Sequence, residues 1–143
     1  TFNFSNEFIQ NRLLDWSTRT LKKETYIKSN LQIFLNNMWI NQNNKYCSNQ
    51  VHNHPMCHFS GIYYVECPPD TGNLYFLKND HSSSITGLFT MFDKMKEFDN
   101  YQNVTNYESQ FILFPSYLLH GVNQNLTDNR RISLAFNLNF VFK

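Results

Sequence analysis

The segment Arg131-Ile132-Ser133-Leu134-Ala135-Phe136-Asn137-Leu138-Asn139-Phe140-Val141-Phe142 alternates. Ile132, Leu134, Phe136, Leu138, Phe140 and Phe142 fall on one parity, and Arg131, Ser133, Ala135, Asn137 and Asn139 on the other. Side chains of a strand point alternately to opposite faces, so the pattern reads as a β-strand with one face in a core. Upstream, Phe111 to Phe114 is an apolar strand followed by a turn and a single imidazole, His120. Gly61 to Glu66 is strongly β-prone, Pro68-Pro69-Asp70-Thr71-Gly72 is turn chemistry, and Asn73 to Leu77 reads as the returning strand of a hairpin.

Further towards the N-terminus the texture changes. Leu31, Ile33, Phe34 and Leu35 fit either a helix end or a buried strand, and a strand from Leu31 is favoured. Asn41 to Gln50 is a polar loop leading into a His-rich segment, Val51 to His58. From Ser5 to about Lys23, Phe8, Leu13, Leu14, Trp16 and Leu21 recur at helical spacing, which predicts one or two helices with Ser5 as N-cap. Residues 80–105 read as a long insertion with a short helix around Leu88 to Phe98, a candidate lid over a site.

At 143 residues the chain fits one domain over 1–143, with helical support in 1–30 and a β-core in 31–143. An aromatic content of 17% favours pleated sheet over a helical bundle. A net charge of +1 with scattered Lys and Arg leaves no electrostatic footprint for nucleic acid; Lys22, Lys23 and Lys28 read as a solvated helix face. No apolar run approaches a membrane span, so no membrane partner is expected. The odd cysteine count, Cys47, Cys57 and Cys67, argues against a disulfide framework and suits a reducing cytoplasm, the expected location.

The chemistry lies in the imidazoles. His52 and His54 are two residues apart, and on an extended segment both rings project from one face, as two ligands of one metal would. His120 is a candidate third ligand or a hydrogen-bonded core residue. Arg131 and Ser133 share a strand face on which a guanidinium fork and a hydroxyl could grip a carboxylate. Cys47, Cys57 and His58 fit no common zinc-finger spacing with His52 and His54.

Taken together, V-H-N-H-P (51–55), S-G-I-Y-Y-V (60–65), G-N-L-Y-F (72–76), F-P-S-Y-L-L-H-G-V (114–122) and R-I-S-L-A-F-N-L (131–138) resemble an iron(II) and 2-oxoglutarate-dependent oxygenase family of marine bacteria and their phages. The resemblance spans about Leu31 to Phe142 and implies a mainly β fold, a double-stranded β-helix or jelly roll with N-terminal helices packed on one side. It makes His52 and His120 iron ligands, and gives Arg131 and Ser133 the far carboxylate of 2-oxoglutarate. Ile62-Tyr63-Tyr64 is similar to a strand of the prolyl hydroxylases, which adds Tyr64 to that anchor. The implied cofactors are Fe(II), 2-oxoglutarate and O2, with ascorbate in support, and the implied reaction is hydroxylation of a small-molecule or peptide substrate with formation of succinate.

One position departs from the family pattern. The usual triad is two His and one carboxylate, and His54 stands where the carboxylate is expected. Three arrangements follow: a three-His site, a site in which water or halide replaces the third ligand, or a carboxylate from elsewhere, with Glu66 and Asp70 nearest in sequence. The alternation favours His52, His54 and His120 as the metal set. Three imidazoles do not by themselves choose between iron and zinc. The competing classes are a cupin-like metal-binding dioxygenase, suggested by His52, His54 and His58, and a non-catalytic β-sandwich binding or structural viral protein.

Overall fold

The computed structural model describes residues 2–3, 6–24, 31–77 and 101–142. Among the described residues, nine strands and one helix run in the order β1 (Phe2–Asn3), α1 (Glu7–Glu24), β2 (Leu31–Asn43), β3 (Asn49–His52), β4 (Phe59–Glu66), β5 (Leu74–Leu77), β6 (Tyr101–Val104), β7 (Phe111–Pro115), β8 (Leu119–Val122) and β9 (Arg131–Phe142). They form two antiparallel sheets, β1-β2-β9-β4-β7 and β3-β8-β5-β6, as a jelly roll does.

The parity of β9 sorts the two faces of the larger sheet. Leu134, Phe136, Leu138 and Phe140 pack with Met38 and Phe59 under Leu13 and Leu21 of α1. Leu13, Ser17 and Leu21 lie four residues apart, and the buried Ser17 satisfies its hydroxyl within the helix by donating to the Leu13 carbonyl at 2.6 Å. Trp16 completes the contact against Tyr63 at 5.4 Å and Phe111 at 5.8 Å between ring centroids. A single helix covers this face; its N-cap is Asn6, whose Oδ1 accepts from the Ile9 N–H at 3.1 Å, while Ser5 lies outside the described residues.

The opposite parity is buried too, which the alternation did not reveal. Arg131, Ser133, Ala135 and Asn137 are all largely shielded, because the smaller sheet covers them as α1 covers the other side. Between the sheets a second apolar cluster forms from Ile62, Tyr64, Cys67, Leu74, Phe76 and Phe114. Towards the middle of this inner face polar side chains satisfy one another: Ser60 Oγ donates to Asn137 Oδ1 at 2.7 Å, and Asn137 Nδ2 donates to Asn37 Oδ1 at 2.9 Å.

Three expectations about connections need correction. Asn73 to Leu77 is not the return of a hairpin, because β4 already pairs with β9 on one side and β7 on the other and offers no free edge. The chain instead crosses at residues 67–73 to the other sheet, where β5 joins β6 and β8. Asp70 (φ 62°) and Gly72 (φ 93°) supply the left-handed backbone that this crossing needs. The polar loop begins later than expected, since β2 continues to Asn43. The far end of the expected insertion is a strand, β6; its helix around Leu88 to Phe98 lies outside the described residues.

Gly61 shows how closely the helix-facing core is filled. A Cβ added there would stand 2.1 Å from Phe136 Cζ, on the cross-strand partner of Gly61. Gly61→Ala is therefore expected to lose about 1–3 kcal/mol of stability through overpacking, read as a lower urea midpoint at unchanged m-value.

Candidate metal centre and anion anchor

The three imidazoles converge from two chain segments. His52 is the last residue of β3 and pairs directly with His120 of β8. His54 lies beyond the strand, so the pair does not share one strand face; the loop returns its ring because the His54 N–H donates to the Ser116 carbonyl at 2.9 Å. Ring centroids are 4.3 Å apart for His52 and His120, 5.0 Å for His52 and His54, and 5.1 Å for His54 and His120. One ligand nitrogen from each lies within 4.8 Å of the others, close enough for the three to be candidate ligands of one ion.

Backbone contacts fix how the rings present themselves. His52 Nδ1–H donates to the Gln50 carbonyl at 2.7 Å, and His120 Nδ1–H to the Leu118 carbonyl at 2.9 Å. A carbonyl only accepts, so in both rings the proton sits on Nδ1 and the Nε2 lone pair is left for a ligand. Burial, with a smaller contribution from His52, holds the His54 pKa at about 4. Burial likewise brings His120 to about 4, against the opposing hydrogen bond to Leu118. Both are neutral near pH 7, the form that binds a metal.

Beneath this cluster, β9 and β4 place Arg131, Ser133 and Tyr64 on one inner face, with Tyr64 and Ser133 direct cross-strand partners. Arg131 is 1% exposed; one terminal nitrogen donates to the carbonyls of Thr71 (3.0 Å) and Gly72 (2.5 Å) in the crossover turn. Burial lowers its pKa, but from so high a value that the guanidinium stays charged. Among the described residues, the buried Arg131 Nε and Tyr64 hydroxyl have no hydrogen-bond partner. Burial pushes the Tyr64 phenol well above its ordinary pKa, so it is a donor. Two buried, unpartnered donors, one cationic, are costly unless an anion completes them.

Other candidates separate from the cluster. His58 Nδ1 is 3.0 Å from Asn139 Oδ1, away from the three-His group, and Cys47 and Cys57 do not join it. Glu66 is occupied by Arg130 at 3.0 Å and Asp70 is exposed in its turn; among the described residues no carboxylate belongs to the cluster. Trp39 was missed at the sequence level, yet its ring lies 5.7 Å from that of His54. Asn43, opposite Arg131 on β2, was missed as well. Their signal was the row Asn37, Trp39, Asn41, Asn43, in which asparagine recurs at strand parity.

A family model described as "Putative 2OG-Fe(II) oxygenase" matches residues 37–137, and the chain belongs to this family of 2-oxoglutarate- and iron(II)-dependent oxygenases. Among solved structures, it is similar to a 2OG-Fe(II) oxygenase family oxidoreductase from Burkholderia pseudomallei: TM-score 0.58, 15% identity, covering 76% of this chain and 44% of that one. HygX from Streptomyces hygroscopicus, solved with nickel and 2-oxoglutarate bound, gives a TM-score of 0.60 at 14% identity over 92% of this chain and 64% of that one. The chain thus spans roughly half to two thirds of these relatives, and at such identities the likeness speaks for the fold alone. No curated protein sequence matches. No helix among the described residues is long and apolar enough to cross a membrane.

Proposed function

We propose that this protein is an iron(II)- and 2-oxoglutarate-dependent oxygenase that hydroxylates a small-molecule or peptide substrate, with His52, His54 and His120 holding the metal. Arg131, Tyr64 and Ser133 anchor the far carboxylate of 2-oxoglutarate. The observation that carries the reading is the pair of unpartnered donors, Arg131 Nε and Tyr64 O–H, buried on the inner face next to Ser133. A cupin-like module or a non-catalytic sandwich would leave both uncompensated. The donor set also suits a divalent ion, since His54 and His120 are neutral and the Nδ1 atoms of His52 and His120 are taken by backbone carbonyls, which leaves Nε2 for a ligand.

When bound, iron(II) with 2-oxoglutarate and O2 supplies the oxidation, in which one oxygen atom enters the substrate and the other enters succinate as CO2 leaves. The chain's part is positional. The carbonyls of Gln50 and Leu118 keep two rings in the ligating tautomer. Arg131, braced by Thr71 and Gly72, fixes the cosubstrate through a charge-assisted contact, and Tyr64 adds a donor that is already desolvated. Phe114 and Phe76, with ring centroids 4.7 and 6.2 Å from that of His120, exclude water on the inner side. No side chain is needed as nucleophile or general base. With three imidazoles in place of two and a carboxylate, the centre is one charge more positive, which favours a dianionic cosubstrate.

The test is direct: protein, Fe(II), ascorbate and 2-oxoglutarate under air, with succinate measured. Succinate formation is expected even without substrate, at a low uncoupled rate. Absence of succinate together with no 2-oxoglutarate-dependent rise in melting temperature would end the oxygenase reading. Tyr64→Phe separates binding from folding. It removes a hydroxyl with no partner, so the ligand-free protein is expected to gain up to about 1 kcal/mol, while affinity for 2-oxoglutarate falls about tenfold. Equal affinity in calorimetry would remove Tyr64 from the anchor.

A further inference from the structure

Asn43 ends β2 directly opposite Arg131. Cross-strand partners stand with Cβ atoms about 4.5–5.5 Å apart on one face, so the Asn43 and Arg131 side chains leave neighbouring points of the same inner face. Asn43 is 5% exposed, and its Oδ1 is a further buried atom without a partner, on the same face as Arg131 Nε and the Tyr64 hydroxyl. Three adjacent strands, β2, β9 and β4, therefore each contribute one unpartnered polar atom to this end of the inner face. The position is firmly held: the Asn43 carbonyl accepts from Nδ2 of the fully buried Asn125 at 3.2 Å, and Asn43 Nδ2 donates to Asn49 Oδ1 at 3.0 Å.

An amide oxygen facing an incoming carboxylate would repel it. Turning both amides over removes the conflict without losing a bond: Asn49 Nδ2 then donates to Asn43 Oδ1, and Asn43 Nδ2 is released as a donor. The unpartnered acceptor is satisfied by the same movement. We propose that Asn43 is a fourth binding residue for the far carboxylate of the cosubstrate, beside Arg131, Tyr64 and Ser133, its amide paired with Asn49 and turned so that N–H, not C=O, meets the anion. The inference rests on the reading of Arg131 and Tyr64 as a carboxylate anchor and deepens it, since a further donor increases discrimination for a C5 dicarboxylate over a 2-oxo monoacid.

The experiment compares two probes on the Ni(II)-loaded protein by calorimetry: 2-oxoglutarate, and 2-oxopentanoate, which has the same metal-binding end and no far carboxylate. Their affinity ratio isolates what the far carboxylate gains, in the manner of a double-mutant cycle. In Asn43→Ala the ratio is expected to fall about tenfold, with 2-oxopentanoate binding unchanged. Asn43→Asp sets carboxylate against carboxylate and lowers the ratio further. Asn43→Val, which fills the position without a donor, serves if the alanine variant does not fold. A ratio that stays at the wild-type value in Asn43→Ala or Asn43→Val but collapses in Arg131→Met overturns the role of Asn43 alone. A wild-type protein that does not prefer 2-oxoglutarate overturns the anchor reading, and this inference with it.

Discussion

Arg131→Met is expected to weaken 2-oxoglutarate binding about a hundredfold while leaving metal content unchanged. The loss is large because Arg131 is 1% exposed and its Nε is unpartnered among the described residues, so the contact proposed for it with a carboxylate would be charge-assisted and fully desolvated. Methionine keeps much of the aliphatic volume and removes a cation that has no anionic partner among the described residues. Two stability effects then oppose one another. The carbonyls of Thr71 and Gly72 lose their donor, which costs about 1–3 kcal/mol each if they stay dry, while the desolvation of an uncompensated charge is relieved by a similar amount. Ligand-free stability should therefore change much less than affinity. Calorimetry with 2-oxoglutarate, metal analysis and urea unfolding on the same preparation separate the three quantities. Loss of metal at unchanged cosubstrate affinity would contradict the placement of Arg131.

How legible this was in the sequence differs from one element to the next. The helix-facing parity of β9 could be read because its apolar residues repeat without interruption from Ile132 to Phe142. β2 resisted the same reading because a register shift between Leu35 and Asn37 switches its parity. Ile33 and Leu35 face the helix with odd numbers, and Met38 continues that face with an even one. Alternation counted across such a shift averages out, so the row from Asn37 to Asn43 passed unnoticed as a wall of the site. The hairpin error has a different origin. Pro68 to Gly72 announces a turn, but a local signal cannot say whether the chain returns to the same sheet or crosses to the other. That depends on which edges β7 and β9 have taken, and these pairings come from far along the chain. Among the candidate site residues, His52, His120 and Arg131 were singled out from the order of motifs, and the structure brings His52 and His120 together with His54. The unpartnered state of Arg131 Nε and the Tyr64 hydroxyl was not legible there, because it exists only once two sheets have closed over them.

His54→Ala is expected to lower metal affinity about a hundredfold or more, beyond the roughly ten- to hundredfold typical of losing an outer-shell partner, because it deletes one of three converging donors. His54→Asp distinguishes ligation from packing: it restores a donor oxygen and lowers the charge of the centre by one, so metal should be retained while 2-oxoglutarate binding weakens. The acid response has a defined sign. Burial holds His54 and His120 at about 4, below the unfolded value of 6.5, so between these values the unfolded chain binds more protons and the ligand-free protein loses stability as pH falls. Urea midpoints should therefore drop from pH 7.5 to pH 5, and drop less in His54→Ala, where one of the two groups is gone. Metal binding draws on the same neutrality: with these two rings free of protons well below pH 6.5, Ni(II) need not displace a proton from either at neutral pH. Metal occupancy and spectroscopic geometry that survive His54→Ala unchanged would leave a two-His centre and remove the imidazole that stands in the carboxylate's place.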